Sequence, residues 1–155
     1  VDGPGLRYTI FVQGCPHGCP ECHNPQTHSF EENKRVTLGQ LMSEIKENPL
    51  LYGVTFSGGE PFCQPGPLAI LGQQIKKAGM HLMCYSGYTY EQLLKRAETE
   101  PDVAALLDVV DVLVDGPYIE AQRDISLPWA GSNNQRVIDV KRSLKKNEVV
   151  LWKEN

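Results

Sequence analysis

The stretch YTIFVQGCPHGCPECHNP, residues 8–25, sets the pattern from which the fold can be read. Its first part is a run of β-branched and aromatic residues that predicts a buried strand over about Arg7 to Gln13. Glycines and prolines exclude a regular helix from Gly14 to Pro25. The stretch therefore predicts a curled loop anchored on the end of a strand.

Three of the chain's five cysteines fall within eight residues of this loop, at Cys15, Cys19 and Cys22. Three clustered thiolates suit zinc or an iron-sulfur cluster, provided that the thiols are reduced and deprotonated. A disulfide framework is disfavoured, because three is odd and because Cys63 and Cys84 lie far along the chain. Since His17 or His23 could complete a Cys₃His zinc site, the spacing alone leaves cluster and zinc open.

The length, composition and net charge of the chain limit the kinds of protein that it can be. A chain of 155 residues with 41% hydrophobic residues predicts one globular domain, residues 1–155, and the absence of an initiator Met leads us to expect a few missing residues at its start. The net charge of −4 argues against a nucleic-acid partner, and no apolar run is long enough to cross a membrane. Reduced cysteines without an export signal indicate a cytoplasmic protein.

Strand and helix patterns alternate along the chain. Further strands are predicted at about Tyr52 to Phe56, Met80 to Tyr85, Val109 to Val114 and Val149 to Trp152. Helices are predicted from Leu38 to Asn48, from Pro67 to Ala78, from Glu91 to Glu98 and from Asp102 to Leu107. Ile119 to Gln135 is expected to be a long loop, and Val137 to Leu144 fits a helix, with a short strand at Val137 to Val140 as the alternative.

This alternation predicts an α/β fold of parallel strands joined by right-handed crossovers. A complete eight-stranded βα barrel takes about 250 residues, so a chain of 155 predicts a partial parallel βα barrel, open on one side. Each of the first four strands is followed by a polar loop containing glycine, and in such sheets ligands bind outside the carboxyl ends of the strands. The four loops should therefore line one site.

The loop after the second strand reads Ser57-Gly58-Gly59-Glu60-Pro61. Two adjacent glycines allow bare backbone to approach a ligand closely, and exposed carbonyls together with Glu60 would suit a positively charged amine. Taken alone, the glycine pair is a weak signal that favours a plain tight turn.

Together, the two loops resemble those of the radical S-adenosylmethionine superfamily. Cys15-x₃-Cys19-x₂-Cys22 has the spacing of its cluster motif, and Gly58-Gly59-Glu60-Pro61 resembles its methionine-amine motif. The resemblance implies one 4Fe-4S cluster held by these three cysteines, the catalytic and metal-binding residues of the chain. The fourth iron would bind S-adenosylmethionine, whose reductive cleavage gives a 5′-deoxyadenosyl radical, with reduced flavodoxin or ferredoxin as the electron donor.

Within that superfamily, further segments narrow the resemblance. The Asp2-Gly3-Pro4-Gly5 opening, Asp115-Gly116-Pro117-Tyr118, and the segment from Trp129 to Arg136 look like those of members that install a glycyl radical on anaerobic ribonucleoside-triphosphate reductase. That resemblance implies the reductase as partner. The alternatives are a pyruvate formate-lyase activator, a small-molecule enzyme such as a deazapurine synthase, and a non-catalytic zinc module.

The remaining candidate residues are expected around this site. Superfamily members often carry an aromatic residue before the third cysteine, where this chain has Glu21, so His23 is a substitute candidate for packing on adenine. Ser86 could bind the methionine carboxylate or serve as a turn hydroxyl, and Cys63 and Cys84 are expected to be buried structural thiols. The candidates for ribose or partner contacts are Asp115, Tyr118, Trp129 and Arg136.

Overall fold

The computed structural model describes residues 3–12, 38–123, 129–130, 132 and 134–153. Five strands in this part of the chain form one sheet, in the order in which they occur in the sequence. They are β1 (Arg7–Val12), β2 (Gly53–Gly58), β3 (His81–Tyr85), β4 (Val112–Asp115) and β5 (Arg136–Asp139). The coarse prediction of a mixed α/β fold is confirmed.

Five helices connect or follow these strands. They are α1 (Leu38–Lys46), α2 (Pro65–Lys77), α3 (Tyr90–Ala97), α4 (Pro101–Val109) and α5 (Val140–Lys146), and short 3₁₀ turns lie at Pro61–Cys63 and Glu120–Gln122. Thr89 and Gln92 form a capping box at the start of α3, and Asn147 ends α5 in the left-handed conformation that helix C-termini favour. None of the helices in the described segments has the length and apolarity needed to span a bilayer.

The pairing of the last strand corrects the expectation of a wholly parallel sheet. Strands β1 to β4 are parallel, whereas β5 runs antiparallel to β4, with Val112 opposite Asp139 and Asp115 opposite Arg136. A parallel connection needs a crossover of a dozen or more residues, usually a helix. The described residues between β4 and β5 contain a 3₁₀ turn and an antiparallel bridge between Arg123 and Ser132, and no α-helix of the kind that a parallel crossover uses.

Two sequence predictions near these strands were wrong in detail. Val109 belongs to α4, not to β4, because its side chain is buried among the helices. Residues 149–152 contribute one isolated bridge, between Leu151 and Ile138, and form no strand. Between the two alternatives for residues 137–140, the strand is confirmed, and the helix α5 follows it.

The buried side chains divide into two clusters. The larger cluster joins Phe56 and Leu113 of the sheet to residues from all five helices, among them Ile45 and Leu106. The smaller cluster contains Met83, Val112 and Val114, and it is covered by Tyr85, Trp129, Ala130, Val137 and Trp152. Since strand side chains alternate between faces, the helices pack on one face of the sheet and these aromatic side chains lie on the other.

Candidate active site at the carboxyl edge of the sheet

The carboxyl ends of four parallel strands meet at one edge of the sheet, where the sequence predicted a site. Gly58, Gly59, Glu60 and Ser86 lie in the described loops at this edge. Asp115 ends β4 beside them. The predicted site residues Cys15, Cys19, Glu21, Cys22 and His23 lie outside the described residues, as does His17.

The glycine pair lies against the end of β1. Gly58 has a φ of +96°, and a Cβ at this position would lie 2.8 Å from the backbone N of Val12 and 2.9 Å from its O. The Gly59 N–H donates to the Val12 carbonyl at 2.9 Å. Any side chain at position 58 would therefore push apart the two strand ends from which the cysteine loop and the Gly-Gly-Glu-Pro loop begin.

Glu60 is fully buried, and its carboxylate is held by donors of the protein itself. Oε2 accepts hydrogen bonds from the Phe62 N–H at 3.0 Å and the Ser86 hydroxyl at 2.9 Å, and Oε1 accepts one from the Gly87 N–H at 2.7 Å. These bonds join the loop after β2 to the loop after β3. A buried carboxylate needs such donors, so the residue has a structural role at the edge whatever else it binds.

The Ser86 hydroxyl both donates and accepts a hydrogen bond within the protein. It donates to Glu60 and accepts from the Tyr88 N–H at 3.1 Å, which makes it the hydroxyl of a turn. The turn hydroxyl that the sequence offered as the alternative to a ligand contact is thus present in the structure.

Asp115 and Arg136 form an ion pair at the same edge. Asp115 is 1% exposed, and Arg136 donates from Nε to Oδ1 at 3.1 Å and from a terminal nitrogen to Oδ2 at 2.5 Å. The other side of the guanidinium binds Glu91, with distances of 2.5 and 3.1 Å. The carboxylates of Asp115 and Glu91 raise the pKa of Arg136, and the hydrogen bond from Arg136 lowers the pKa of Glu91.

The polar residues before Arg136 bind the chain that leaves β4. Gln135 donates from its side chain to the Gly116 carbonyl at 3.0 Å, and Asn134 donates to the Pro117 carbonyl at 2.7 Å. The buried Ser132 hydroxyl accepts from the Ile119 N–H at 3.2 Å. This run belongs to the segment from Trp129 to Arg136 that the sequence analysis used for the resemblance, and in the structure it fixes the loop after β4.

The two cysteines outside the motif differ in environment. Cys84 is fully buried in the core, as expected, and burial raises the pKa of its thiol well above the ordinary value. Cys63 is exposed, which corrects the expectation of a buried thiol, because Phe62 fills the buried position of the 3₁₀ turn. Partial burial and then the Glu60 carboxylate raise the pKa of Cys63.

Sequence reasoning missed the arginine at the opposite edge. Arg7 donates to the Thr55 hydroxyl, to the Pro4 carbonyl and to the Val54 carbonyl, each at 2.8 Å, and lies 3.0 Å from Nδ1 of His81. The one available signal was a charged residue at the start of an apolar strand. Arg7 ties the amino ends of three strands together and stands apart from the carboxyl edge.

A cavity of about 470 Å³ also opens at this amino edge, between Tyr52, His81 and Trp152. Its lysine at position 76 is paired with Asp111 at 2.5 Å. The cavity is thus a separate feature from the loops that follow the strands.

The residues next to the cysteine motif, and the thiolates of the motif itself, are compatible with the 4Fe-4S cluster that the motif implies. In the described residues, no three His, Cys, Asp or Glu side chains are grouped so as to hold a metal ion. Cys15 lies three positions after Val12, and a chain of that length spans at most about 11 Å. The Gly58-Gly59 turn contacts Val12 directly, so the chain length allows thiolates of this motif to come near that turn. Cysteine thiolates are the ligands that iron-sulfur clusters take, and the three of this motif fit a 4Fe-4S cluster in which one iron has no thiolate.

Comparison with known families agrees with this site. Residues 1–138 match the family model of a 4Fe-4S single cluster domain, which covers most of the chain. The match defines the class: a protein built around one 4Fe-4S cluster.

Relatives narrow the class further. The chain is 35% identical to an anaerobic ribonucleoside-triphosphate reductase-activating protein of Vibrio cholerae, over 87% of this chain and 88% of the relative. It is 32% identical to the protein of that name in Escherichia coli K12, over 88% of this chain and 90% of the relative. A pyruvate formate-lyase-activating enzyme of Clostridium pasteurianum is 36% identical over 75% of this chain, but over only 50% of its own length. The chain belongs to the family of anaerobic ribonucleoside-triphosphate reductase-activating proteins, which confirms the narrower resemblance read from the segments beyond the two motifs.

Proposed function

We propose that this protein is a radical S-adenosylmethionine activase that generates a glycyl radical on anaerobic ribonucleoside-triphosphate reductase. The observation that carries the proposal is the match of nearly the whole chain to reductase-activating proteins. The cluster motif and the Gly-Gly-Glu-Pro loop support it, because they follow two adjacent strands whose ends are in contact.

In this proposal, Cys15, Cys19 and Cys22 hold one 4Fe-4S cluster at the carboxyl edge of the sheet. When bound, the cluster would pass one electron from a reduced donor to S-adenosylmethionine, whose sulfonium would be cleaved to methionine and the 5′-deoxyadenosyl radical. Gly58 and Gly59 let the backbone approach the methionine amine, and Glu60 and Ser86 fix the two loops that border it. Glu21 and His23 remain candidates for the adenine side.

The architecture supports an open site. All helices in the described segments pack on one face of the sheet, as they would outside an incomplete βα barrel, and we propose that residues 1–155 form one such domain. A protein loop that carries the target glycine is a bulky substrate, and a barrel open on one side would admit it. Reduced flavodoxin or ferredoxin is the proposed electron donor, and the need for reduced thiolates favours the cytoplasm.

A pyruvate formate-lyase activator is the second candidate, because a relative of that name aligns with most of this chain. The alignment covers only half of that relative, whereas it covers 88% of the reductase-activating protein of Vibrio cholerae. The coverage favours the reductase as the partner. The zinc module left open by the cysteine spacing is disfavoured by the 4Fe-4S family match.

Replacement of one motif cysteine tests the assignment. Anaerobically reconstituted wild-type protein should contain about four irons and four sulfides per chain and release 5′-deoxyadenosine from S-adenosylmethionine when reduced. Cys15→Ala should lose both the cluster absorbance and the cleavage, since a thiolate ligand is removed. Cys63→Ala, which changes a cysteine outside the motif, should keep both. Cleavage by Cys15→Ala at the wild-type rate would refute the assignment.

A further inference from the structure

The loop Ser86–Thr89 after β3 is held from both sides by buried carboxylates. On one side, Glu60 accepts from the Ser86 hydroxyl at 2.9 Å and the Gly87 N–H at 2.7 Å. On the other side, Asp115 accepts from the Tyr90 N–H at 2.7 Å, at the first turn of α3. The exposures of the two acids are 0% and 1%, so both are out of contact with solvent.

The backbone reinforces this arrangement. The Ser86 N–H donates to the Val114 carbonyl at 2.9 Å, and the Gly116 N–H donates to the Tyr88 carbonyl at 2.9 Å. The loop after β3 and the end of β4 therefore form one connected unit. A change in the position of Asp115 would be passed on to the residues of the loop.

Arg136 determines the position of Asp115. The guanidinium and the backbone N–H of Arg136 donate three hydrogen bonds to the Asp115 carboxylate, at 3.1, 2.5 and 3.2 Å. The same guanidinium binds Glu91 on α3, so that it also joins β5 to the helix that begins at the loop. A planar guanidinium can bind two carboxylates at once, and an ammonium group has no such geometry.

We propose that Arg136 is a positioning residue of the cosubstrate site, which acts through Asp115 and Glu91 to hold the loop Ser86–Thr89 against Glu60. The inference rests on the proposed function, because that function makes Ser86 and the Gly-Gly-Glu-Pro loop part of the S-adenosylmethionine site. It adds a role to a residue that the sequence considered only for partner contacts. The side chain touches neither cosubstrate nor cluster in this role.

Two substitutions test the role. In Arg136→Met, a buried carboxylate loses its counter-ion, and the amides of Tyr90 and Gly116 should exchange hydrogen about tenfold faster in cluster-free protein. In reconstituted protein with unchanged iron content, KM for S-adenosylmethionine should rise about tenfold and kcat should change less than twofold. Arg136→Lys keeps the charge and should restore part of both properties. Arg142→Met, which removes an exposed arginine near the amino edge, should behave as wild type.

The outcomes separate this inference from the proposed function. Unchanged amide exchange in both Arg136 variants, or an unchanged KM in both, overturns the positioning role. If Arg136→Met does not fold, Arg136→Lys carries the test. In that variant, KM for S-adenosylmethionine should rise about threefold. Wild-type protein that holds a cluster but never cleaves S-adenosylmethionine overturns the proposed function, while the exchange measurements still decide whether Arg136 holds the loop.

Discussion

In the described structure, three polar side chains connect elements that lie far apart in the sequence. Glu60 joins the loops after β2 and β3, Arg136 joins β4, β5 and α3, and Arg7 joins β1, β2 and β3. Each contributes several hydrogen bonds from one partly or wholly buried group, and the loss of one partner would leave the others unsatisfied. The sequence shows the residue type at these positions but not the partner, because the contacts join residues up to 74 positions apart.

The contact between Arg7 and His81 should make the stability of the protein depend on pH. Burial, and then the neighbouring Arg7 charge, lower the pKa of His81 from 6.5 to about 4, so that the ring is neutral at pH 7 and Nδ1 can accept from Arg7. Because the folded-state pKa is lowered, the stabilisation is complete above about pH 6.5 and is lost as the pH falls towards 4.

Urea unfolding at pH 7 and pH 4.5 measures this effect. The free energy of unfolding of wild type should fall by about 1–2 kcal/mol more than that of His81→Gln, after allowance for solvent screening of a half-buried ring. Gln cannot titrate, so the variant reports the contribution of all other groups. Equal losses in both proteins would rule out His81 as the source.

Among the elements, α2 and α4 make a close contact in the helix layer. Gly72 of α2 lies where a Cβ would come within 2.6 Å of Cγ2 of Val109 and 3.1 Å of Cδ2 of Leu82. Val109 is β-branched and stiff, so it cannot easily move aside. The sequence predicted α2 from its apolar spacing and its closing Gly79, but no periodicity shows which helix comes close enough to require a glycine.

Gly72→Ala should therefore destabilise the protein, although alanine is the better helix former. The expected loss in the free energy of unfolding is about 1–2 kcal/mol, the net of overpacking and helix propensity. Adding Val109→Ala removes the contacting methyl groups, and the double variant should be less destabilised than the sum of the single changes. Urea unfolding of the four proteins gives the coupling energy, and strict additivity would contradict the contact.

At the scale of the whole molecule, the sheet is asymmetric. The described helices cover one face, and on the other face Tyr85 and Val137 of the sheet, together with Trp129, Ala130 and Trp152 outside it, cover the smaller cluster. The alternation of strands and helices predicted the layer and the edge where the loops meet, because parallel strands bring their carboxyl ends together. The same alternation did not predict the antiparallel direction of β5. The residues of a strand do not reveal its direction in the sheet, because that direction depends on how the preceding chain turns.

The candidate site was predictable to different degrees. The thiols of the cysteine motif and the small size of the glycines are properties of the residue types, so both features could be recognised in the sequence. The ion pair of Asp115 with Arg136 could not, because it forms only when β5 runs antiparallel to β4 and places the two residues opposite each other. A wholly parallel sheet would not have produced that pairing.

An open-sided sheet should discriminate between whole partner proteins. Mixed anaerobically with S-adenosylmethionine and a reductant, the protein should produce a glycyl radical signal by electron paramagnetic resonance on anaerobic ribonucleoside-triphosphate reductase. With pyruvate formate-lyase, we expect at least tenfold less radical, because this chain aligns with only half of an activator of that enzyme. A reductase variant whose radical-bearing glycine is replaced by alanine is the control. Equal yields with both partners would contradict the assigned specificity.

The face opposite the described helices carries both tryptophans of the chain. Trp129 and Trp152 meet edge to face, with ring centroids 4.8 Å apart and planes at 64°. Indole emission responds to polarity and to neighbouring rings, and no third indole elsewhere in the chain adds a background. The protein thus carries its own fluorescent reporter, so binding events on that side can be followed in solution without any dye.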